Sequence, residues 1–548
     1  MKNKINFTTS FDSNQVMLRS LIRSNRTLIP SSSLRSFHSV PSLLNKQKEF
    51  NSNPDSANSP TIDENGLYYG KFTKQEYEDA TKVVKQQIEK LEGDIKGDFN
   101  VRDNLGKVLQ FPQRDITGST KVENLTDLFV QTIQTTGPIT LSAYIRQCLT
   151  HPDFGYYTTR NPLDSRSGDF ITSPEISFMF GEMIGIWLFT VWQQQNYPTS
   201  IKFIEFGPGR GTLMHDVLKS FNLFATKVNK PVNIEINLIE ASKILRQEQW
   251  KLLCEEEVEF KTTEEGFNTS TSKWGNQIKW LDTEKDIIND ENIANYIIAH
   301  EFFDALPVKS FQKTEHGWRE LMVEHSSSVN NTQPKLPSNS NEEEINIENK
   351  ELLDTEFHLT LSQKETPSSI IPSLSSRYKD LPIDTRIEIC TEAELYLMKM
   401  IQLLNNTKNL GTALIIDYGV VNTIPEASLR GIYKHKFVSP FIKPGEVDLS
   451  IDVDFTNLTN LSSKFCSSFG PIDQGDWLHN LGIGHRVDQL IKKNTHDEEK
   501  QDKIYNSYRR LTDKNDKSLG SYKFLSLLPL NAKPPIGFET PAPPAPPL

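Results

Sequence analysis

From residue 125 onward, short runs of β-branched and aromatic residues alternate with longer stretches of helical periodicity. That alternation predicts a parallel sheet joined by crossover helices. The strand-type runs are 201–206, 234–240, 278–281, 296–299 and 413–417. The predicted fold class is therefore α/β, a doubly wound Rossmann-like sheet with additional helical elements, over residues 125–530. Ahead of it, 49–124 reads as a linker (Asn-, Ser- and Pro-rich at 51–60) and a peripheral extension with one helical pattern at 73–91. Within it, 326–349 is Ser/Asn/Pro-rich and ends in acids, the composition of a disordered surface insertion. Residues 531–548, with Pro541, Pro543, Pro544, Pro546 and Pro547, read as a Pro-rich tail. No apolar run approaches the ~20 residues of a membrane span; the nearest, 178–189, is interrupted by Glu182.

Charge sharpens this division. The 548 residues carry a net −11, but residues 1–48 hold four Lys and four Arg against Asp12 alone, leaving −18 for the remainder. So acidic a body is a poor partner for nucleic acid, whose phosphates demand a basic stripe. In the leader, Arg19, Arg23 and Arg26 would share one helical face beside Val16, Leu18, Leu21 and Ile22. This is the composition of a mitochondrial transit peptide; a plain basic tail is the blander alternative. Cys148, Cys254, Cys390 and Cys466 are far apart, without metal-type spacing, and read as reduced thiols.

The most informative segment is Phe206-Gly-Pro-Gly-Arg-Gly-Thr-Leu213, a glycine-rich turn between a predicted strand and a helix starting near Thr212. Gly207, Gly209 and Gly211 let a ligand approach the backbone, and the helix start offers free N–H groups. Taken alone, the turn fits a dinucleotide site or a plain tight turn. Two details favour S-adenosyl-L-methionine: the third glycine of a GxGxxG fingerprint is replaced by Thr212, and Glu205 precedes the turn. A carboxylate there repels a pyrophosphate and attracts the ammonium of a methionine tail.

The next strand ends in Glu240, placed to accept ribose hydroxyls, and the third in Asp282, placed to accept from the adenine amino group. Any one such acid is more often a cap or a solvated residue; three in order behind the glycine turn reverse that and read as a cofactor set. The fourth strand runs into His300-Glu-Phe-Phe-Asp-Ala-Leu-Pro307. Asp304 stands where a zinc HExxH motif needs its second His, so no metal site is predicted. Glu301 and Asp304 are the candidate catalytic pair, holding a cationic acceptor, with helix capping as the alternative.

Gly137-Pro-Ile-Thr-Leu141, His151-Pro-Asp-Phe-Gly-Tyr-Tyr157, Gly168-Asp-Phe-Ile-Thr-Ser-Pro-Glu-Ile-Ser177, the glycine turn, the 300–307 segment, Ile416-Asp-Tyr-Gly419, Lys443-Pro-Gly-Glu-Val-Asp-Leu449 and Val453-Asp-Phe455 occur in this order. The series resembles the mitochondrial complex I assembly-factor 7 family of protein arginine methyltransferases, over roughly residues 125–530. The resemblance implies a class I S-adenosylmethionine methyltransferase of the mitochondrial matrix. It further implies symmetric dimethylation of an arginine on a peripheral-arm subunit of complex I, the iron–sulfur protein 2, early in assembly. One departure is visible: the family's Ala-Asn-Glu is Ala-His-Glu here, with His300 in place of Asn. The competing readings are a same-fold enzyme with a small-molecule or RNA acceptor, a non-catalytic assembly chaperone with a vestigial cofactor site, and a nicotinamide-dependent oxidoreductase. Glu205 opposes the last.

Overall fold

The computed structural model describes residues 122–159, 171–325, 355–405, 408, 410–515 and 518–539. The leader, the 73–91 pattern, the 326–349 insertion and prolines 541–547 lie outside the described residues.

Nine strands form the main sheet: β1 (Ser200–Phe206), β2 (Asn233–Ile239), β3 (Lys261–Thr262), β4 (Asn268–Thr271), β5 (Gln277–Leu281), β6 (Ala294–His300), β7 (Thr412–Asp417), β8 (Ser467–Asp473) and β9 (Lys523–Leu528). Their spatial order is β8-β9-β7-β6-β1-β2-β5-β4-β3. The five central strands, β7-β6-β1-β2-β5, are parallel, and they are the five runs expected from the sequence. Strand order reverses at β1, which has β2 on one side and β6 on the other. The crevice beyond the carboxyl ends of β1 and β6 is thus the switch point at which doubly wound sheets bind ligands.

Both faces of the sheet are covered, so its strands alternate between two apolar layers. In β1, Ile201 and Phe203 enter one core and Ile204 and Phe206 the other. The first layer contains helices α1 (Phe178–Gln194) and α2 (Thr212–Val228). The second contains α4 (Thr391–Asn405) and the helix Phe455–Ser462, while α3 (Lys243–Leu253) follows β2. The apolar run at 178–189 is α1, a buried core helix begun by the Ser177 cap on Met179 N–H. Its one interrupting charge, Glu182, accepts from Arg486 Nε at 2.9 Å. No helix among the described residues is long and apolar enough to cross a membrane.

The sequence implied added helices; the larger addition is an antiparallel sheet. Lys309–Thr314, Gly317–His325, Phe357–Leu361 and Arg386–Ile389 all lie between β6 and β7, and Ile139–Thr140 completes five strands. Its signal was masked because a charge occupies a buried strand position. Glu320 is 1% exposed and accepts from Thr366 Oγ1 at 2.5 Å, breaking the apolar alternation. After β7 come three short strands, Arg430–Tyr433, Lys436–Val438 and Asp448–Ser450. These parts share a core in which Val323, Phe357, Val438 and Leu449 meet the helices Leu125–Thr136 and Leu141–Thr150.

The α1–α2 contact is close because two glycines lie in it. A Cβ on Gly185 would sit 2.7 Å from the Val217 carbonyl and 2.0 Å from Ser220 Oγ; on Gly181 it would sit 2.6 Å from Asp216 Cβ. Gly185→Val should therefore overpack the contact and lower stability by about 1–3 kcal/mol, read as a lower urea midpoint. Gly484→Ala is the control: its Cβ meets nothing within 4 Å, and the helix there should gain about 0.5 kcal/mol.

Candidate active site

The glycine turn continues β1 at the switch point. Gly207, Gly209 and Gly211 all have left-handed φ, of 63°, 53° and 85°. Gly211 N–H donates to Pro208 O at 2.8 Å, closing the turn, and α2 starts at Thr212 with no side-chain cap on its first N–H groups. Gln249 of α3 secures the turn from behind: its Nε2 donates to Gly209 O at 2.7 Å, and its Oε1 accepts from Trp280 Nε1 at 2.8 Å.

Two carboxylates are buried beside this turn. Glu205 is 2% exposed, and its Oε2 has no hydrogen-bond partner. Burial, with the Glu240 charge next, pushes its carboxyl up to about 8. Burial pushes Glu240 up to about 7, opposed by the Ser242 N–H, Gln249 and Arg246. Asp282 lies at the tip of β5, where the guanidinium of Arg246 pairs with it. Arg246 also donates through Nε to Glu240 O at 2.7 Å, tying the tips of β2 and β5 together.

The acids of the fourth strand lie immediately alongside. Phe206 pairs with Ala299 in the β1–β6 register, so Gly207 and His300 are the next neighbours. A Cβ on Gly207 would lie 3.2 Å from Phe302 Cδ2. Glu301 has φ 48°, a left-handed conformation costing a residue with a Cβ about 1–2 kcal/mol. Its Oε1 is buried without a hydrogen-bond partner and faces the equally unpartnered His300 Nε2 at 3.4 Å. Burial lowers His300 to about 3, so the imidazole is neutral and does not form an ion pair. Burial, together with Asp304 and Asp448, raises Glu301 well above the ordinary carboxyl range.

Asp304 is not a helix cap. Burial raises it to about 6, and the Ser450 hydroxyl, donating at 3.0 Å, and the Arg430 charge hold it lower than burial alone would. Around the pair stand groups that sequence reasoning assigned no role: Asp417, Tyr418, Arg430, Asp448 and Ser450. Tyr157 also belongs here, donating to Asp448 Oδ1 at 2.9 Å. Asp448, Tyr157, Tyr418 and Asp417 fall inside the motif series, but nothing in spacing told which of them meet.

The family model described as "Putative S-adenosyl-L-methionine-dependent methyltransferase" matches residues 183–472. The protein arginine methyltransferase NDUFAF7, mitochondrial, of Rattus norvegicus is 34% identical over 400 residues, 72% of this chain and 82% of the relative. The Homo sapiens protein of that name is 33% identical over 72% and 81% of the two chains, and the Drosophila melanogaster homolog 32% over 80% and 95%. The chain belongs to the NDUFAF7 family of protein arginine methyltransferases. A Burkholderia thailandensis protein solved with S-adenosyl-homocysteine shares the fold, with a TM-score of 0.53 at 18% identity, over 76% of this chain and 92% of that one. A native structure from the same organism gives 0.54 at 19%, over 75% and 93%.

The family's cofactor is S-adenosylmethionine, and the residues present fit it. Glu205 offers an unpartnered buried acceptor for an ammonium, while Glu240 and Asp282 lie in order along the strand tips. With Glu205 proposed as the partner of the donor's ammonium, donor binding should be coupled to proton release. At neutral pH a Glu205 with no cation beside it is largely protonated, and an ammonium partner needs it ionised. Donor affinity should rise from pH 6 to 7.5, by up to about tenfold per unit, as the pH approaches the raised value. Calorimetry in buffers of different ionisation enthalpy checks this. Glu205→Gln should bind more weakly and with a flat pH profile.

Proposed function

We propose that the chain dimethylates an arginine symmetrically on a peripheral-arm subunit of mitochondrial complex I, the iron–sulfur protein 2. It does so in the matrix, early in assembly. The relatives' names, mitochondrial protein arginine methyltransferases, support the acceptor class and a mitochondrial location. The observation that carries the reading is the adjacency of the glycine turn and the 301–304 turn at neighbouring register positions of β1 and β6. Methyl transfer has no reach beyond direct contact, so the acceptor must lie beside the donor site.

The bound donor supplies an electrophilic methyl group. The chain's own residues hold and orient the acceptor. In this reading, Glu205, Gly207, Gly209, Gly211, Glu240 and Asp282 form the donor site, and Glu301 and Asp304 receive the guanidinium. A guanidinium is planar, has five N–H donors and stays charged below pH ~12, so it needs flanking acceptors that leave its attacking nitrogen free. Glu301 Oε1, buried and unpartnered, is such an acceptor. Each transfer would form one N–C bond as the donor's S–C bond breaks, the electron pair staying on the departing thioether sulfur, and would release one N–H proton. Asp304, at about 6, is the carboxylate poised to take it near neutral pH. Symmetric dimethylation follows if the methylated nitrogen turns away and the second one meets the donor.

Glu301→Gln keeps the shape of the side chain and removes its charge; Asp304→Asn is its matched partner. A charge-assisted hydrogen bond is worth about 1.5–3 kcal/mol, so each variant should methylate the iron–sulfur protein 2 about 10- to 100-fold more slowly. Donor affinity should stay within about threefold. Mass spectrometry of the acceptor and calorimetry of the donor read the two quantities. Wild-type rates in both variants would move the guanidinium elsewhere, with Glu175 next in line. It contacts the glycine turn through Thr212 Oγ1 at 2.6 Å.

A further inference from the structure

The 301–304 turn is held from behind by a residue whose carboxylate is bound to backbone. Asp417 ends β7 and is 0% exposed. Its Oδ2 accepts from Phe303 N–H at 3.0 Å and from Asp304 N–H at 3.3 Å, and its Oδ1 from Tyr418 N–H at 2.9 Å. Both oxygens are thus committed to backbone donors.

The contacts form a closed ring. Tyr418, whose N–H lies on Asp417, meets the Ser450 hydroxyl through its own phenol, and Ser450 donates to Asp304 Oδ2 at 3.0 Å. Asp304 returns to Asp417 through its backbone N–H. Two flanking bonds extend the hold: Glu301 N–H to Ile416 O at 2.9 Å, and Ile451 N–H to Asp304 O at 3.0 Å. A left-handed Glu301 persists only where its surroundings over-determine the backbone, and this ring supplies that determination.

We propose that Asp417 is a positioning residue for methyl transfer, acting through the backbone of the 301–304 turn to aim Glu301 and Asp304. The inference rests on the reading of those two acids as the acceptor site. Asp417 works by geometry and not by charge. An Asn in its place keeps one oxygen with two lone pairs for both turn N–H groups and gives up only the Tyr418 N–H contact, where its Nδ2 meets a second donor outside the turn, whereas a Glu keeps the charge and displaces the turn.

The test uses the full chain, the iron–sulfur protein 2 as acceptor and a labelled methyl donor. Asp417→Asn should retain kcat within about fivefold. Asp417→Glu should lose about 100-fold in kcat, the scale of an ångström-level misplacement, with donor affinity unchanged. A purely structural residue would not give this split between donor affinity and kcat, nor rescue by the uncharged isostere. If Asp417→Asn loses about as much as Glu301→Gln, its charge acts on the acceptor and positioning is overturned. If Asp417→Glu keeps wild-type kcat, the turn does not depend on Asp417, and the proposal also fails. Should the Glu variant not bind donor, Asp417→Ser takes its place: too short to reach the turn, it should be inactive while the Asn variant is active, and wild-type kcat in it refutes the proposal. Wild-type rates in both Glu301→Gln and Asp304→Asn would instead remove the acceptor reading, whatever the Asp417 variants do.

Discussion

The carboxyl edge of the sheet holds more buried carboxylates than its fixed cations can balance. Glu205 and Glu240 lie on the β1–β2 side, and Glu301, Asp304, Asp417 and Asp448 on the β6–β7 side. Removing a charged carboxylate from water costs several kcal/mol unless it is paired or hydrogen-bonded. Arg246 and Arg430 offset only part of that cost. The remainder appears as the raised carboxyl values of Glu205, Glu240, Glu301, Asp304 and Asp417, and it is relieved most directly by cationic ligands. A methionine-type ammonium suits one side, and a guanidinium the other. In the proposed reading, one constraint thereby serves both molecules that a protein arginine methyltransferase must bring together.

Not all six acids play one part. Asp417 spends its oxygens on backbone N–H groups, and Asp304 has Ser450 and the Arg430 charge. Glu205 and Glu301 instead present buried oxygens without partners. Buried atoms without partners occur elsewhere too, at Glu320 and Ser310 among others; what sets Glu205 and Glu301 apart is that theirs lie beside the glycine turn at the switch point. The strained φ of Glu301 points the same way.

Much of this was legible in the sequence. The five parallel strands could be read because buried parallel strands are nearly continuous apolar runs, and the glycine turn because only glycine accepts its dihedral angles readily. Glu205, Glu240 and Glu301 could be placed because each lies one residue before the end of such a strand or directly follows it. The antiparallel sheet between β6 and β7 could not, since Glu320 sits buried in mid-strand on Thr366. Nor could Arg246 and Gln249 be found: they reach the strand tips from a helix, and nothing in helical periodicity marks the side chain that turns inward. The ring through Asp417, Tyr418, Ser450 and Asp304 spans 146 residues between Asp304 and Ser450, a closeness created by the fold alone.

The central claim is that donor and guanidinium meet at the β1–β6 switch point, each against its own carboxylate. A crystal structure of the chain with S-adenosylhomocysteine and an arginine peptide from the acceptor tests it most directly. The account predicts the amino group of the cofactor on Glu205, and the guanidinium within hydrogen-bond distance of Glu301 or Asp304, beside the sulfur. A guanidinium bound away from the 301–304 turn, or a Glu205 that faces no cation, would contradict it.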